Sequence, residues 1–278
     1  MIKLKERTIV ITGASDGIGR AAATHLKSSG ANVIITGRSR EKTKAVAEEL
    51  KVPYYIADYS SLAEVRQLGS DLKGDYSTID VLANNAGGIM GSQRTVTDDG
   101  YDRAIQVNHL AGFLLTNILL DTLCASKASV INTSSAAQQF SGLTDLSDLK
   151  LDIGYSSMGA YGKSKLMNVL FTKELHRRYN SLGISAAAFH PGVVRTNFGE
   201  EFGGRTKLLY SGPIKYVLKT PEKGADTLIW LATSQPGKDW IPGEYYSKRH
   251  IKRPNRQAED AENAKILWEA SSKATGLP

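Results

Sequence analysis

A chain of 278 residues, 41% hydrophobic and 23% charged, has the length and balance of a globular enzyme that folds around its own core without a disulfide or a metal. Its one cysteine, Cys124, excludes a disulfide scaffold, and no apolar run is long enough to cross a bilayer, so no transmembrane segment is expected. The net charge of +7 is partly local, at Lys248, Arg249, Lys252, Arg253 and Arg256. With no zinc-ligand spacing or RNA-binding aromatic pattern beside it, this region reads as a solvated basic tail, and no nucleic-acid partner is expected.

Residues 1–7 are charged, lack the apolar core of a secretory signal and lead directly into a strand, which points to a soluble protein, and the lone Cys124 fits a reducing, cytoplasmic location. That strand, Thr8–Ile11, is a short apolar run of the kind buried on both faces. A helix opens after Gly17 and stops near residues 28–30, where Gly30 suits a C-terminal cap. Residues 32–36 form the second strand and Arg40–Leu50 a charged helix. A strand at 54–57, a helix at 62–72 and a strand at 80–83 follow. One long helix is predicted over 101–123, with Cys124 as buried filler beside its end, then a strand at 130–133, a helix at 158–179 and a strand at 184–189. Residues 136–157 and 197–220 read as long loops, and helices over Pro221–Thr233 and 258–271 complete the pattern. Such strict alternation defines the fold class as α/β, a Rossmann-type doubly wound parallel β-sheet with helices on both faces. A single domain over residues 1–278 is expected, with a substrate loop at about 193–220 and a ligand crevice at the carboxyl ends of the strands.

Between the first strand and the first helix lies Thr12-Gly13-Ala14-Ser15-Asp16-Gly17-Ile18-Gly19. Its glycines let the backbone turn sharply and let a pyrophosphate approach the helix N-terminus, whose N–H groups and dipole favour anions. Ser15, Asp16 and Ile18 complete this cofactor-binding turn. The second strand ends in Thr36-Gly37-Arg38. A carboxylate there would bind an adenosine ribose, whereas an arginine suits a 2′-phosphate, so Arg38 argues for NADP(H) over NAD(H). The glycine turn carries Asp16 rather than a second basic residue to share that phosphate.

Tyr161 and Lys165 stand four apart in a predicted helix, which puts both side chains on one face. A free tyrosine, with a pKa of about 10, is a poor base at neutral pH, and a neighbouring ammonium in a partly desolvated site lowers it by about 2–3 pH units. The pair then acts as a proton donor and acceptor near the working pH. His109 and His190 have no ligand cluster around them, so no metal site is expected. No G-x-S-x-G elbow accompanies the serines, which argues against hydrolase chemistry.

The motifs TGASDGIG at 12–19, NNAG at 84–87, Asn108 in the long helix, Ser135, YGKSK at 161–165 and HPGVVRT at 190–196 follow in that order. By them the chain resembles a short-chain dehydrogenase/reductase. VNHLAGFLLTNILLDTL at 107–123 and AYGKSKLMNVLFTKELHRR at 160–178, with the long spacing from Ser135 to Tyr161, are similar to the retinol-dehydrogenase-like branch. Many members of that branch begin with a membrane anchor, which is not read here, so the likeness does not imply a retinoid substrate. The resemblance implies a hydride transfer between NADP(H) and a carbonyl/alcohol pair. Tyr161 would give or take the substrate proton, and Lys165 would lower its pKa and bind the nicotinamide ribose. Ser135, with Ser134 as the fallback, would hydrogen-bond the substrate oxygen. Asn108 would hold a water linking Lys165 to solvent. Asn85, Ala86 and Gly87 would pack by the adenosine ribose, Asp58 would bond the adenine amino group, and Pro191, Gly192 and Thr196 would orient the nicotinamide. Asp58 reads equally as a cap for a helix starting near Ser60. Phe198, Phe202, Leu208, Leu209 and Tyr210 suggest an apolar aldehyde, ketone or secondary alcohol as substrate. A nucleotide-binding sensor or scaffold without turnover, and an epimerase or lyase using transient oxidation, are the alternatives. A homo-oligomer is left open.

Overall fold

The computed structural model describes residues 4–142, 145, 149–150, 155–194 and 219–277. Among these, β1 (Thr8–Ile11), β2 (Asn32–Gly37), β3 (Tyr54–Ile56), β4 (Val81–Asn84), β5 (Ser129–Thr133), β6 (Ser185–His190) and β7 (Tyr245–Ser247) pair in parallel, and β8 (His250–Ile251) adds an antiparallel edge. The order is β3-β2-β1-β4-β5-β6-β7-β8. Chain direction therefore reverses between β1 and β4, which sets the ligand crevice at their carboxyl ends.

The central strands β1, β2, β4, β5 and β6 are largely buried because both faces are covered. Val10, Ile34, Leu82 and Val130 point into one core, under α3 (Leu62–Asp75), α5 (Ala111–Ile118), α7 (Ser157–Tyr179) and α9 (Ala261–Ala274). Ile9, Ile11, Ile35 and Ile131 point into the other, under α1 (Gly17–Ser28), α2 (Arg40–Leu50) and α8 (Pro221–Thr233). Side-chain oxygens cap the helices where the sequence offers them: Asp16 for α1, Ser39 for α2, Ser61 for α3 and Ser156 for α7. Thr220 caps α8 with Pro221 in the first turn.

Three expectations change. The long helix over 101–123 is broken into α4 (Arg103–Ile105), a π-helical turn at Gln106–Leu110, α5 and α6 (Leu120–Ala125). The Ala111 N–H reaches back five residues to the Gln106 carbonyl, which inserts one residue into the helix and carries Asn108. The basic region is solvated, as expected, but it is not a tail: Lys248 and Arg249, both at positive φ (54° and 64°), form the turn of the β7–β8 hairpin. There Arg249 Nε bonds Asp226 of α8 at 2.9 Å, and Arg253 Nε bonds Glu259 at 2.8 Å. Cys124 is half-buried rather than core filler.

Candidate active site

The turn after β1 lies under the segment that follows β4. Gly13 has φ +65°, and a Cβ there would come 2.7 Å from the Ala86 Cα. A Cβ on Gly19 would strike the Gly13 carbonyl and come 2.7 Å from the Asn85 amide. Thr12, the first residue of the turn, locks the two segments together. Its hydroxyl accepts the Asn85 and Ala86 N–H groups at 3.0 Å, and Asn85 Nδ2 donates to the Thr12 carbonyl at 3.0 Å. Asp16 is spent on Gly17 N, at 2.7 Å, as the α1 cap, and Ile18 packs near Gly224 of α8. Gly13→Ala is expected to lower the unfolding free energy by about 1–3 kcal/mol, read by urea denaturation. An unchanged midpoint would show that this contact yields freely.

At the end of β2, Arg38 is exposed beside the turn, and Ser15 sits where a Cβ on Gly37 would come 3.1 Å from its hydroxyl. Asp58 accepts from the Ser60 N–H and hydroxyl, each at 2.8 Å, so it closes the turn before α3 while Ser61 is the helix cap. Beyond β6, Gly192 adopts φ +93°, and Lys219 Nζ donates to the Pro191 carbonyl at 3.3 Å. His190 is packed, its Nδ1 accepting the Ala136 N–H at 3.2 Å, and burial and the Lys219 charge push its pKa down to about 4. Thr196 and the apolar residues at 198–210 lie outside the described residues.

Ser134, Ser135, Tyr161 and Lys165 are carried by the end of β5 and by α7. Lys165 is fully buried, its Nζ lies 5.6 Å from the centre of the Tyr161 ring, and it donates to the Thr133 carbonyl at 3.1 Å. Burial pushes the Lys165 amine down to about 7, because a desolvated ammonium is costly. Tyr161 is half-buried. The two serines after β5 separate cleanly. Ser134 is buried and its hydroxyl is committed to the Lys165 carbonyl at 2.7 Å, whereas Ser135 is half-buried and its hydroxyl accepts the Ala137 N–H at 3.2 Å.

Asn108 is held by its π turn against the backbone after β4. Its Oδ1 accepts the Gly88 N–H at 2.6 Å, and its Nδ2 donates to the Gly88 carbonyl at 2.9 Å and to Ser164 at 3.0 Å. Gly87, at φ +144°, leaves the room: a Cβ there would strike Asn108 Oδ1 and come 3.3 Å from Lys165 Nζ. Asn168, one turn beyond Lys165, was not singled out from the sequence. Its Nδ2 donates to the Asn108 and Thr133 carbonyls at 2.9 and 3.1 Å. His109 supports it, with Nδ1 3.3 Å from Asn168 Oδ1 and Nε2 2.9 Å from Ser271 of α9. Burial drops His109 to about 4, so the ring is neutral at neutral pH. The i, i+3 spacing from Lys165 was the available signal for Asn168.

The model of the short chain dehydrogenase family matches residues 7–205, and the chain belongs to the short-chain dehydrogenase/reductase family. Within it the chain falls in the retinol-dehydrogenase-like branch. Human retinol dehydrogenase 13 is 38% identical over 284 residues, covering 98% of this chain and 85% of that protein. A protein of Streptomyces sp. (strain C5) named as a daunorubicin C-13 ketoreductase, DnrU, is 39% identical over 280 residues, covering 98% and 94%. A crystal structure of a protein from Mycobacterium paratuberculosis superimposes with a TM-score of 0.78 at 32% identity, covering 98% of this chain and 94% of that one. RhlG from Pseudomonas aeruginosa, solved as an NADP active-site complex, gives 0.69 at 25% identity, covering 88% and 96%. The protein is thus an NAD(P)-dependent oxidoreductase acting on CH–OH or C=O groups. Among the described residues, no helix is long and apolar enough to cross a membrane.

Proposed function

We propose that the protein interconverts an apolar aldehyde or ketone and its alcohol with NADP(H), using Tyr161 as the proton donor and acceptor. The observation that carries this reading is the buried Lys165 amine beside the Tyr161 ring, on a helix tied to the end of β5 through Ser134, with half-buried Ser135 following it. A nicotinamide dinucleotide fits this donor set: the α1 N-terminus and the Gly13–Gly19 turn for its pyrophosphate, Arg38 for a 2′-phosphate, and Lys165 for ribose hydroxyls. When bound, the nicotinamide supplies or accepts the hydride.

The protein's own part is to orient and to move a proton. Ser135 holds the substrate oxygen as charge develops on it, and Tyr161 delivers the proton to that oxygen in reduction or removes it in oxidation. Lys165, poised near neutrality, favours the phenolate and refills the tyrosine. Asn108 and Asn168 fix the carbonyls around the amine. The segments bearing the site also carry bare apolar side chains. Phe140 is 93% exposed at the end of the turn that starts at Ser135, Met158 is 52% exposed one helical turn before Tyr161, and Val193 is 59% exposed after Gly192. Together with the names of the relatives, these support an apolar carbonyl compound. A cytoplasmic location belongs to the same reading and rests on the lone Cys124.

The cofactor half is tested by titrating NADPH and NADH into the wild type and Arg38→Asp. NADPH is expected to bind the wild type more tightly, and the substitution to weaken NADPH about tenfold or more while changing NADH about threefold at most. Equal affinities of the wild type for both cofactors would remove the role given to Arg38.

A further inference from the structure

The turn that begins at Ser135 is held on three sides, and one side comes from the far end of the chain. On the sheet side, the Ala136 N–H is fixed by His190. On the α7 side, the approach is so close that a Cβ on Gly162 would strike the Ser141 hydroxyl and come 3.0 Å from the Ala137 carbonyl. The third side is Asn255, in the segment after the β7–β8 hairpin. Its Nδ2 donates to the carbonyls of Ser141 at 2.7 Å, Gln138 at 3.0 Å and Gln139 at 3.3 Å. Its own N–H donates to Gln138 Oε1 at 2.8 Å, and its Oδ1 accepts the Gln257 N–H at 3.0 Å. Gln138 is fully buried, and its side chain lies beside the Tyr245 hydroxyl of β7. Gln139 Nε2 in turn donates to the Arg253 carbonyl.

One asparagine amide thus serves the carbonyls of Gln138 and Gln139 in the short 3₁₀ turn (Ala136–Phe140) and of Ser141 just after it. We infer that Asn255 is a positioning residue for Ser135, clamping the Ala136–Phe140 turn so that the C-terminal segment completes the active site. This rests on the reading of Ser135 as the group that holds the substrate oxygen. Since Ser135 caps that turn, a shift of the turn moves the hydroxyl away from the oxygen it must meet. Misplacement by about 1 Å is enough to cost up to about a hundredfold in rate.

Two variants separate this from ordinary structural support. Asn255→Asp keeps the size and the Oδ1 acceptor but turns an acceptor towards the three carbonyls, and Asn255→Ala removes both groups. For each, turnover on a carbonyl panel, NADPH affinity and amide hydrogen exchange are measured beside the wild type. The expected result is a fall in kcat of about tenfold or more, an NADPH dissociation constant within about twofold, and faster exchange confined to residues 135–142. Unchanged exchange there, or unchanged kcat with exchange raised, overturns the proposal. So does a loss of NADPH affinity and of protection spread over β7 and α9, which marks a general structural role. A wild type that reduces no compound overturns the reading of Ser135 instead, and the exchange measurement still decides the clamp.

Discussion

Tyr161→Phe is expected to lower kcat by about 10²–10⁴-fold while leaving NADPH affinity within about twofold. The substitution removes one oxygen and keeps the ring that packs 5.6 Å from Lys165 Nζ, so the surroundings keep their shape. On the proposed mechanism, what disappears is the group that passes a proton to or from the substrate oxygen. Water cannot take its place well, because the amine behind the ring is fully buried. Steady-state turnover and fluorescence titration of NADPH check the two halves separately. A phenylalanine variant with near-normal kcat would move proton transfer to another group, and the protein would then use the fold differently.

Lys165→Met is expected to make the protein more stable at pH 7 and nearly inactive. The amine titrates near 10.5 in the unfolded chain and at about 7 in the folded one. Between those values the unfolded chain binds the extra proton, so this group's contribution to stability improves as pH rises. At pH 7 the buried amine therefore carries a penalty on the order of 4 kcal/mol, which methionine, of similar volume, does not. Removal of the amine leaves no orphaned acceptor, because Asn168 also donates to the Thr133 carbonyl. Thermal unfolding is expected to show a higher midpoint for the variant at pH 7, with the advantage shrinking towards pH 10. Turnover is expected to fall by about 10²-fold or more, with weaker NADPH binding, since both proton transfer and ribose binding lose a group. A variant less stable than the wild type at pH 7, or a gain that does not change with pH, would mean that the amine is better solvated than its surroundings imply.

Both effects come from residues legible in the sequence, and the reasons are local. Strands such as β1 carry consecutive apolar residues, Ile9 to Ile11, because both faces are covered, and the glycines of the first turn announce a close approach. Tyr161 and Lys165 sit on one helix face by spacing alone. Legibility ended where structure depends on a single inserted residue or on partners far apart in the chain. The π turn at Asn108 buries Gln106, Asn108 and His109, polar residues that no apolar pattern marks as core. The β7–β8 hairpin turns through Lys248 and Arg249 at positive φ, where Asn-Gly or Asp-Gly is the usual signal, so its basic residues suggest a charged tail and not a turn. The clamp by Asn255 spans 114 to 117 residues and is invisible to any local rule. The choice between Ser134 and Ser135 is clearer in space, since only Ser134 has its hydroxyl buried against α7.

The central claim is that a hydride passes between the nicotinamide and a carbonyl carbon in this crevice. It is tested most directly by supplying NADPH deuterated at C4 on the transferred face, with a panel of aliphatic, aromatic and polyene aldehydes and ketones, and analysing the alcohols by mass spectrometry. The expected result is an alcohol carrying one deuterium on the former carbonyl carbon, formed by the wild type and not by Tyr161→Phe. Tight NADPH binding with no labelled alcohol from any compound would contradict it and favour a nucleotide-binding protein without net redox turnover.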